Sequence, residues 1–385
     1  MAQLLHISYD LRNRKGLPVT TAVANLINET RKKSSIQVID LLRVANFRLE
    51  QFSVQEPGYV TLNFFGLPYG IFMIYSLKRA YNKTLTAISQ NLINIDANTV
   101  IHAHKVTFEG YIAYLLSLKY NSKLILTLRQ SDIRVFQKRP DLTKHFKPVI
   151  ERCDRIIYLI PSIVTILKNY LGEPFFDLHV KNKLEFIPNI VERDFERISK
   201  ENDNGVFMTA LRMDRNSVKR KNLKRLLSAV SMMKSPYLKL RIIGDGSYMQ
   251  KVKRWVKKFE IENNILFTGA VPNSDMDKYY SSSKAFLLPS LSESFGLVYA
   301  EALLNGTPIM YSRNRLGFDG MFEGVGVGVD PLSAESIADG IVDLIKNNRK
   351  YRDRIRELSS NKEFEIFSSK YVENKYNHIL EDLLK

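Results

Sequence analysis

Apolar residues in this chain gather in short unbroken runs, and between the runs lie longer stretches where they recur every three or four positions. A short apolar run bounded by turn formers reads as a strand buried on both faces, and the longer repeat reads as an amphipathic helix. In the first half, Leu4–Ser8, Ile36–Leu41, Thr99–His102, Lys123–Leu128 and Arg155–Ile160 read as strands. Thr20–Lys32, Phe108–Tyr120 and Pro161–Leu171 read as helices between them, and Leu184–Asn189 closes the set. A charged stretch from Glu192 to Asn204 interrupts the rhythm and reads as a linker. The pattern then restarts with Gly205–Leu211, Leu238–Ile243, Ile265–Thr268, Ala285–Leu288 and Pro308–Tyr311. Alternation of this kind implies α/β architecture, with parallel sheets covered on both faces. The expected organisation is a first domain at 1–190, a linker at 191–204, a second domain at 205–367 and a closing helix at 368–385. Two such halves predict Rossmann-like domains on either side of a cleft.

The densest chemistry lies in Ser292-Glu293-Ser294-Phe295-Gly296-Leu297-Val298-Tyr299-Ala300-Glu301. Glu293 falls in the loop after the strand Ala285–Leu288, at the carboxyl end where open parallel sheets bind ligands. Gly296 opens a segment whose Leu, Ala and Glu favour helix, which puts Glu301 about two turns along. The helix start supplies free N–H groups between the carboxylates, a combination that suits a ligand part phosphate and part sugar. Taken by itself, such a pair also fits a helix cap and a solvated face.

The wider text decides between these readings. Glu-seven-residues-Glu, with Glu-Ser-Phe-Gly-Leu, Glu-Ala-Leu and the following Asn305-Gly306-Thr307-Pro308-Ile309, resembles the signature of retaining glycosyltransferases of family 4. The resemblance runs over nearly the whole chain and implies the bilobal fold called GT-B, whose last helix crosses back to the first domain. It implies a nucleoside-diphosphate-sugar donor, with Glu293 on the sugar hydroxyls, the amides of Phe295, Gly296, Leu297 and Val298 facing sugar and phosphate beside Ser294, and Glu301 on the ribose. A carboxylate suits a vicinal diol because it offers acceptors to two adjacent donors. Arg212, at the end of a strand, and Lys221, before a helix, stand where the family binds the diphosphate. Here Ala210-Leu211-Arg212 replaces Gly-Arg-Leu, and Lys221-Asn222 replaces Lys-Gly, with Lys219 and Arg220 as neighbouring cations. Gly244-Asp245-Gly246 reads as a tight turn at a strand end, and Phe267-Thr268-Gly269 resembles the turn beside the nucleobase.

The first domain is expected to hold the acceptor and one wall around the phosphates. Gly16 stands where the family often has two glycines. Ile101-His102-Ala103-His104 resembles a His-x-His at a strand end, so His104 either orients substrate or is a satisfied structural histidine. Thr127-Leu128-Arg129-Gln130-Ser131-Asp132 departs from the family's Thr-Leu-His-Gly, leaving Arg129 for a phosphate and Asp132 for the acceptor as open assignments.

Bulk numbers narrow the class. At 385 residues, 45% hydrophobic and 25% charged, the chain is expected to be soluble and globular with more than one core. One cysteine, Cys153, excludes an intramolecular disulfide framework and fits a reducing cytoplasm. No signal peptide or membrane span is read in it. The net charge of +17 is uneven: residues 1–190 hold 25 Lys and Arg against 14 Asp and Glu. Val218–Arg225 taken alone looks like a nucleic-acid patch, yet Leu223, Leu226, Leu227 and Val230 recur at helical spacing, so its charge is a solvated helix face. Nucleic acid is therefore not expected as a partner. Phe64–Leu77, followed by Lys78-Arg79, reads either as a core helix with its loop or as a wedge touching anionic lipid.

Together these readings predict a metal-independent, retaining transferase without a cofactor. Its expected acceptor is a saccharide or lipid-linked saccharide, and its expected location is the cytoplasm, peripheral on the inner face of the plasma membrane. Neither Gly-x-Gly-x-x-Gly nor a Walker loop occurs, which argues against nicotinamide oxidoreductases and nucleotide triphosphatases. The rival readings are a sugar-nucleotide epimerase or phosphorylase on a similar scaffold, and a non-catalytic nucleotide-sugar binder.

Overall fold

The computed structural model describes residues 3–9, 11, 21–31, 34–44, 52–65, 72–191, 204–313, 315 and 317–385. They form two compact units, Met1–Ile190 with Ser369–Lys385, and Val191–Ser368.

In the first unit the chain runs β1 (Gln3–Tyr9), α1 (Thr21–Thr30), β2 (Ser35–Val44), β3 (Phe52–Glu56), β4 (Tyr59–Phe65), α2 (Met73–Ser89) and β5 (Thr99–Ala103). It continues through α3 (Glu109–Tyr120), β6 (Lys123–Leu128), α4 (Gln130–Lys138), α5 (Thr143–Arg152), β7 (Arg155–Tyr158), α6 (Ser162–Leu171), α7 (Glu173–His179) and β8 (Leu184–Phe186). The eight strands lie in the order β3-β4-β2-β1-β5-β6-β7-β8, and only the β3–β4 pairing is antiparallel. Leu4 and Ile7 of β1, Val38 and Ile39 of β2, Val100 and Ile101 of β5 and Leu124–Leu126 of β6 are wholly buried, as strands of a sheet covered on both faces must be.

The second unit contains β9 (Val206–Ala210), α8 (Arg215–Arg220), α9 (Leu223–Met232), β10 (Lys239–Ile243), α10 (Met249–Lys258), β11 (Ile265–Gly269), α11 (Met276–Ser281) and β12 (Phe286–Leu287). After these come α12 (Leu297–Leu304), β13 (Ile309–Ser312), β14 (Gly326–Val329), α13 (Ala334–Lys346) and α14 (Asn348–Ser360). Its sheet is wholly parallel, in the order β11-β10-β9-β12-β13-β14. Renumbered within the unit, this is the doubly wound order 3-2-1-4-5-6, whose strand order reverses between β9 and β12.

The last helix, α15 (Ser369–Leu383), belongs to the first unit although it follows the second in sequence. It sets Val372, Tyr376 and Ile379, at helical spacing, into one apolar cluster with Leu4, Val100, Ile125 and Ile157.

Three elements differ from the sequence expectation. The apolar run Phe64–Leu77 is not one segment: Phe64 and Phe65 end β4, residues 66–71 lie outside the described set, and α2 begins at Met73. The β3–β4 hairpin and β14 were not expected at all. In β14 the sequence Gly-Val-Gly-Val carries little strand propensity, yet a Cβ on Gly326 would lie 1.9 Å from the Ile309 carbonyl oxygen. Close approach of two strands, rather than propensity, forms that pairing.

Candidate active site

The reversal point of the second sheet gathers most of the residues singled out from the sequence. The β9 exit is stitched to its neighbours: Leu211 N–H donates to Ile243 O at 3.0 Å, Met213 N–H to Asp245 O at 3.0 Å, and Gly244 N–H to Gly269 O at 2.7 Å. Such closeness needs glycine. At Gly244, φ is +130° and a Cβ would sit 1.8 Å from Leu211 O, while at Gly246 a Cβ would meet the Met213 backbone at 2.8 Å. Gly269, with φ +80°, ends β11 at the same edge.

Asp214 caps α8, accepting from Ser217 N–H at 2.9 Å and Ser217 Oγ at 2.7 Å, and these bonds hold its carboxyl below the usual range. Asn222 then takes the left-handed conformation, φ +61°, that lets α9 start in a new direction. Glycine and asparagine both tolerate that region, which accounts for Asn222 where the resembled family has glycine. The Asn222 amide donates to Pro289 O at 3.0 Å and Pro331 O at 2.7 Å, and Leu291 N–H donates to Arg220 O at 2.8 Å. These bonds fasten the α8–α9 turn to the loop leaving β12.

The consequence is an ion pair between Lys221 Nζ and Glu293 Oε2, groups 72 residues apart in the chain. Their side chains are 15% and 17% exposed, so solvent reaches the pair without surrounding it. Lys219 and Arg220 are exposed, and of the three neighbouring cations it is Lys221 that meets Glu293. Arg212 is mostly exposed, its Nε 4.0 Å from Asp214, and it takes no part in that pair.

Gly296, φ +83°, precedes α12, and a Cβ there would lie 3.2 Å from Glu293 Cγ and 2.4 Å from the Tyr299 ring. Gly317, not identified from the sequence, comes equally close: a Cβ on it would lie 3.2 Å from Glu293 Cβ. Phe295 is buried edge-on against Phe367 at 5.9 Å, which anchors the loop, while Ser294 is exposed and Leu297 and Val298 are half-buried. The first N–H groups of α12 have no partner within the helix. One turn further, Glu301 receives the hydroxyl of buried Tyr280 at 2.9 Å, a fixing contact that sequence reading missed. Behind the site Tyr299 is buried, and burial together with the nearby Glu293 charge raises its hydroxyl pKa well above the usual value.

In the first unit the corresponding strand ends look different. Gly16 lies outside the described residues. His104 is buried rather than presented to a substrate: its Nε2 lies 3.0 Å from His6 Nδ1. His102 lies beside them, with Nδ1 2.8 Å from the Tyr376 hydroxyl and Nε2 2.8 Å from Thr127 Oγ1. Burial lowers all three pKa values, that of His6 to about 3, so the cluster is neutral. The three rings have the proximity a metal would need, but both nitrogens of His6 and of His102 have partners within the protein, and the arrangement reads as a hydrogen-bonded core.

Asp132 is not an acceptor-facing acid either. It is wholly buried and accepts from Thr107 N–H at 2.9 Å, Thr107 Oγ1 at 2.7 Å and Arg129 N–H at 2.9 Å, so it caps α4. Arg129 is half-buried and donates from Nε to His104 O at 2.9 Å. Sequence reading overlooked Glu109, a wholly buried carboxylate whose Oε1 accepts from Tyr9 N–H at 2.8 Å and Lys105 Nζ at 2.9 Å. Its position at the first turn of α3, after a strand, was the available signal.

With this geometry in view, comparison with known proteins shows what the chain resembles. Residues 194–362 match the family described as Glycosyl transferases group 1, a span that contains every residue of the Lys221–Glu293 site. Over that span the chain is similar to the group 1 glycosyl transferases. Its relatives include the alpha-monoglucosyldiacylglycerol synthase of Streptococcus pneumoniae, 26% identical over 68% of this chain and 58% of that protein. They also include the N-acetyl-alpha-D-glucosaminyl L-malate synthase of Bacillus anthracis, 26% identical over 74% of this chain and 75% of that protein. Among solved structures, sucrose-phosphate synthase from Thermosynechococcus elongatus superposes with a TM-score of 0.68 at 15% identity, covering 100% of this chain and 99% of that one. Anabaena Alr3699/HepE, in complex with UDP, gives 0.68 at 15% identity over 99% and 100% of the two chains. The chain therefore shares the GT-B fold of those proteins. Cys153 plays no part in the site: it is buried, and burial pushes its thiol up to about 12. No helix among the described residues is long and apolar enough to cross a membrane.

Proposed function

We propose that the protein is a retaining, metal-independent glycosyltransferase that moves a sugar from a nucleoside diphosphate, with UDP preferred to GDP, to a hydroxyl of a saccharide or lipid-linked acceptor. The observation that carries the proposal is the Lys221–Glu293 pair at the reversal point of the β11-β10-β9-β12-β13-β14 sheet, beside the start of α12. Transfer needs countercharge for the departing diphosphate, acceptors for the sugar hydroxyls and stabilisation of a cationic sugar. Lys221, with Arg212 at the neighbouring strand exit, supplies the first without a metal. Glu293 supplies the second and third. The amides opening α12 meet phosphate, and Glu301, fixed by Tyr280, takes the ribose diol.

The reaction proceeds on one face of the sugar. The bond from the anomeric carbon to the phosphate oxygen breaks, the acceptor oxygen bonds to the same face, and its proton passes to the departing phosphate. Glu293 acts electrostatically and through the hydroxyls, not as a covalent nucleophile. The diphosphate competes with Glu293 for Lys221, so donor binding redirects the lysine from carboxylate to phosphate.

A membrane-borne acceptor, in the synthesis of a surface polysaccharide or glycoconjugate at the inner face of the plasma membrane, is supported by α2. Phe72 and Tyr75, 55% and 52% exposed, share one face of its start with exposed Lys78. Flotation with anionic vesicles at low salt tests this: protein remaining with the soluble fraction sinks the membrane part.

Thermal unfolding in UDP, GDP and their sugars tests the donor half. A ligand at about 100 times its Kd stabilises the folded state by roughly 2.7 kcal/mol. No stabilisation by any nucleotide overturns the proposal, as does conversion of a sugar nucleotide without any acceptor. Turnover unaffected by EDTA is the expected result for a metal-independent enzyme.

A further inference from the structure

A second basic feature lies in the second unit, outside the Lys221–Glu293 site. Between α9 and α10 runs a groove of about 670 Å³. Lys224 and Arg225 line it from α9, and Lys251, Arg254 and Lys258 from α10. The three on α10 are spaced i, i+3 and i+7, so one helix face presents them all. Like charges at that spacing repel, and among the described residues none of the five has a carboxylate partner. Arg225 is held in place by neutral groups, Asn222 Oδ1 at 3.2 Å and Pro331 O at 3.0 Å. Trp255 also lines the groove, with Lys224 Nζ 5.7 Å from its ring centre and Tyr248 packed edge-on at 5.9 Å.

We propose that this groove binds a linear polyanion, a sugar- or polyol-phosphate chain, and holds such an acceptor polymer on the enzyme away from the reacting end. The polymer's role as acceptor rests on the glycosyltransferase reading above; binding in the groove does not. Five cations along two helices match a row of phosphates better than one, and the groove exceeds a single phosphate severalfold. A bilayer offers a plane of headgroups and cannot follow a concave channel. Nucleic acid is disfavoured because Lys224 lies over the Trp255 ring and Tyr248 packs edge-on beside it, so a base stacking on that face has first to displace the lysine.

Trp255 is the only tryptophan in the chain, so intrinsic fluorescence reports on this groove directly. Poly(glycerol phosphate) is expected to draw Lys224 from the ring and change the emission saturably. Inorganic phosphate at the same phosphate concentration is expected to do nothing. Displacement of counterions by five cations predicts affinity falling about 100-fold between about 50 and 200 mM salt. In Lys251→Glu with Arg254→Glu the response is expected to vanish while the thermal shift by nucleotide persists, which shows that the fold and donor site remain. Lys251→Ala with Lys258→Ala, a milder pair, is expected to weaken binding at least tenfold.

An unchanged emission with the polymer, or an equal response in the charge-reversed protein, overturns the proposal. So does tighter binding of a single-stranded oligonucleotide of equal charge, or a response to anionic vesicles alone. No polymer response in the unaltered protein, with nucleotide binding intact, refutes only the groove. Polymer binding without any nucleotide binding refutes only the transferase reading.

Discussion

Each unit carries a lysine–glutamate pair at the carboxyl ends of its parallel strands, and the two pairs are built in opposite ways. In the second unit Lys221 and Glu293 come from loops 72 residues apart and meet within reach of solvent. In the first, Lys105 and Glu109 are four residues apart, and the Glu109 side chain is 0% exposed. Its Oε1 is committed to Tyr9 N–H as well as to Lys105, and its Oε2 has no partner among the described residues. A reachable pair can exchange its partners for those of a ligand. A buried one, wired into backbone, holds strand ends in place. Asp132 and the three histidines extend the same buried wiring, so chemistry of similar appearance is left open to solvent in one unit and committed to architecture in the other.

The comparison breaks most sharply at the carboxylates. Glu293→Gln keeps the shape and removes the charge, and turnover is expected to fall about 100- to 1000-fold. Unfolding free energy should change little, and nucleoside diphosphate should bind as well or a few-fold tighter, because Lys221 is released. Turnover within tenfold of the parent would remove Glu293 from the reaction.

Asp132→Ala should do the reverse. It strands the donors of Thr107 and Arg129 in the interior, at a cost of about 2–3 kcal/mol in urea unfolding. Activity per folded molecule should be largely kept, and a selective loss of kcat with full stability would restore an acceptor role.

The histidine cluster predicts a pH signature confined to the first unit. The folded pKa values of His6, His102 and His104 lie below the unfolded value of 6.5, so the unfolded state takes up more protons as pH falls. Their contribution is complete above pH 6.5 and declines from there towards pH 3, by up to about 1.4 kcal/mol per pH unit for each histidine. Asp132, its pKa raised by burial, works in the opposite sense at lower pH as one group against three. His6→Asn should flatten the decline between pH 6.5 and 5, and an unchanged slope would show that the cluster is already charged. The smallest effects belong to Lys219→Ala and Arg220→Ala, where donor KM should stay within about twofold. A large rise in either would transfer the phosphate role from Lys221.

The same contrast explains what the sequence discloses. The α/β class, the alternation and most strand positions follow from apolar periodicity alone. In the second unit Glu293, Gly296 and Glu301 lie within ten residues, so they could be singled out as a candidate once the family resemblance stood beside the spacing. Lys221, by contrast, could not be told from Lys219 and Arg220. The first unit's wiring was not readable, because its contacts join Tyr9 to Glu109 and Thr107 to Asp132 across 100 and 25 residues. No local spacing distinguishes a capping aspartate from a catalytic one. Gly317 escaped for a similar reason, since its use lies in the Glu293 side chain it makes room for, not in its neighbours along the chain.

Unit one is discontinuous: β1 to β8 come from one end of the sequence, and α15, which covers Leu4, Val100 and Ile125 and holds His102 through Tyr376, comes after the whole of unit two. On the ribosome, that sheet emerges long before the helix that seals it. Domains fold as units during synthesis, so unit two can mature first while unit one waits with a bare apolar flank. The nascent protein thus has an interval in which a chaperone, or premature release of the chain, decides its fate.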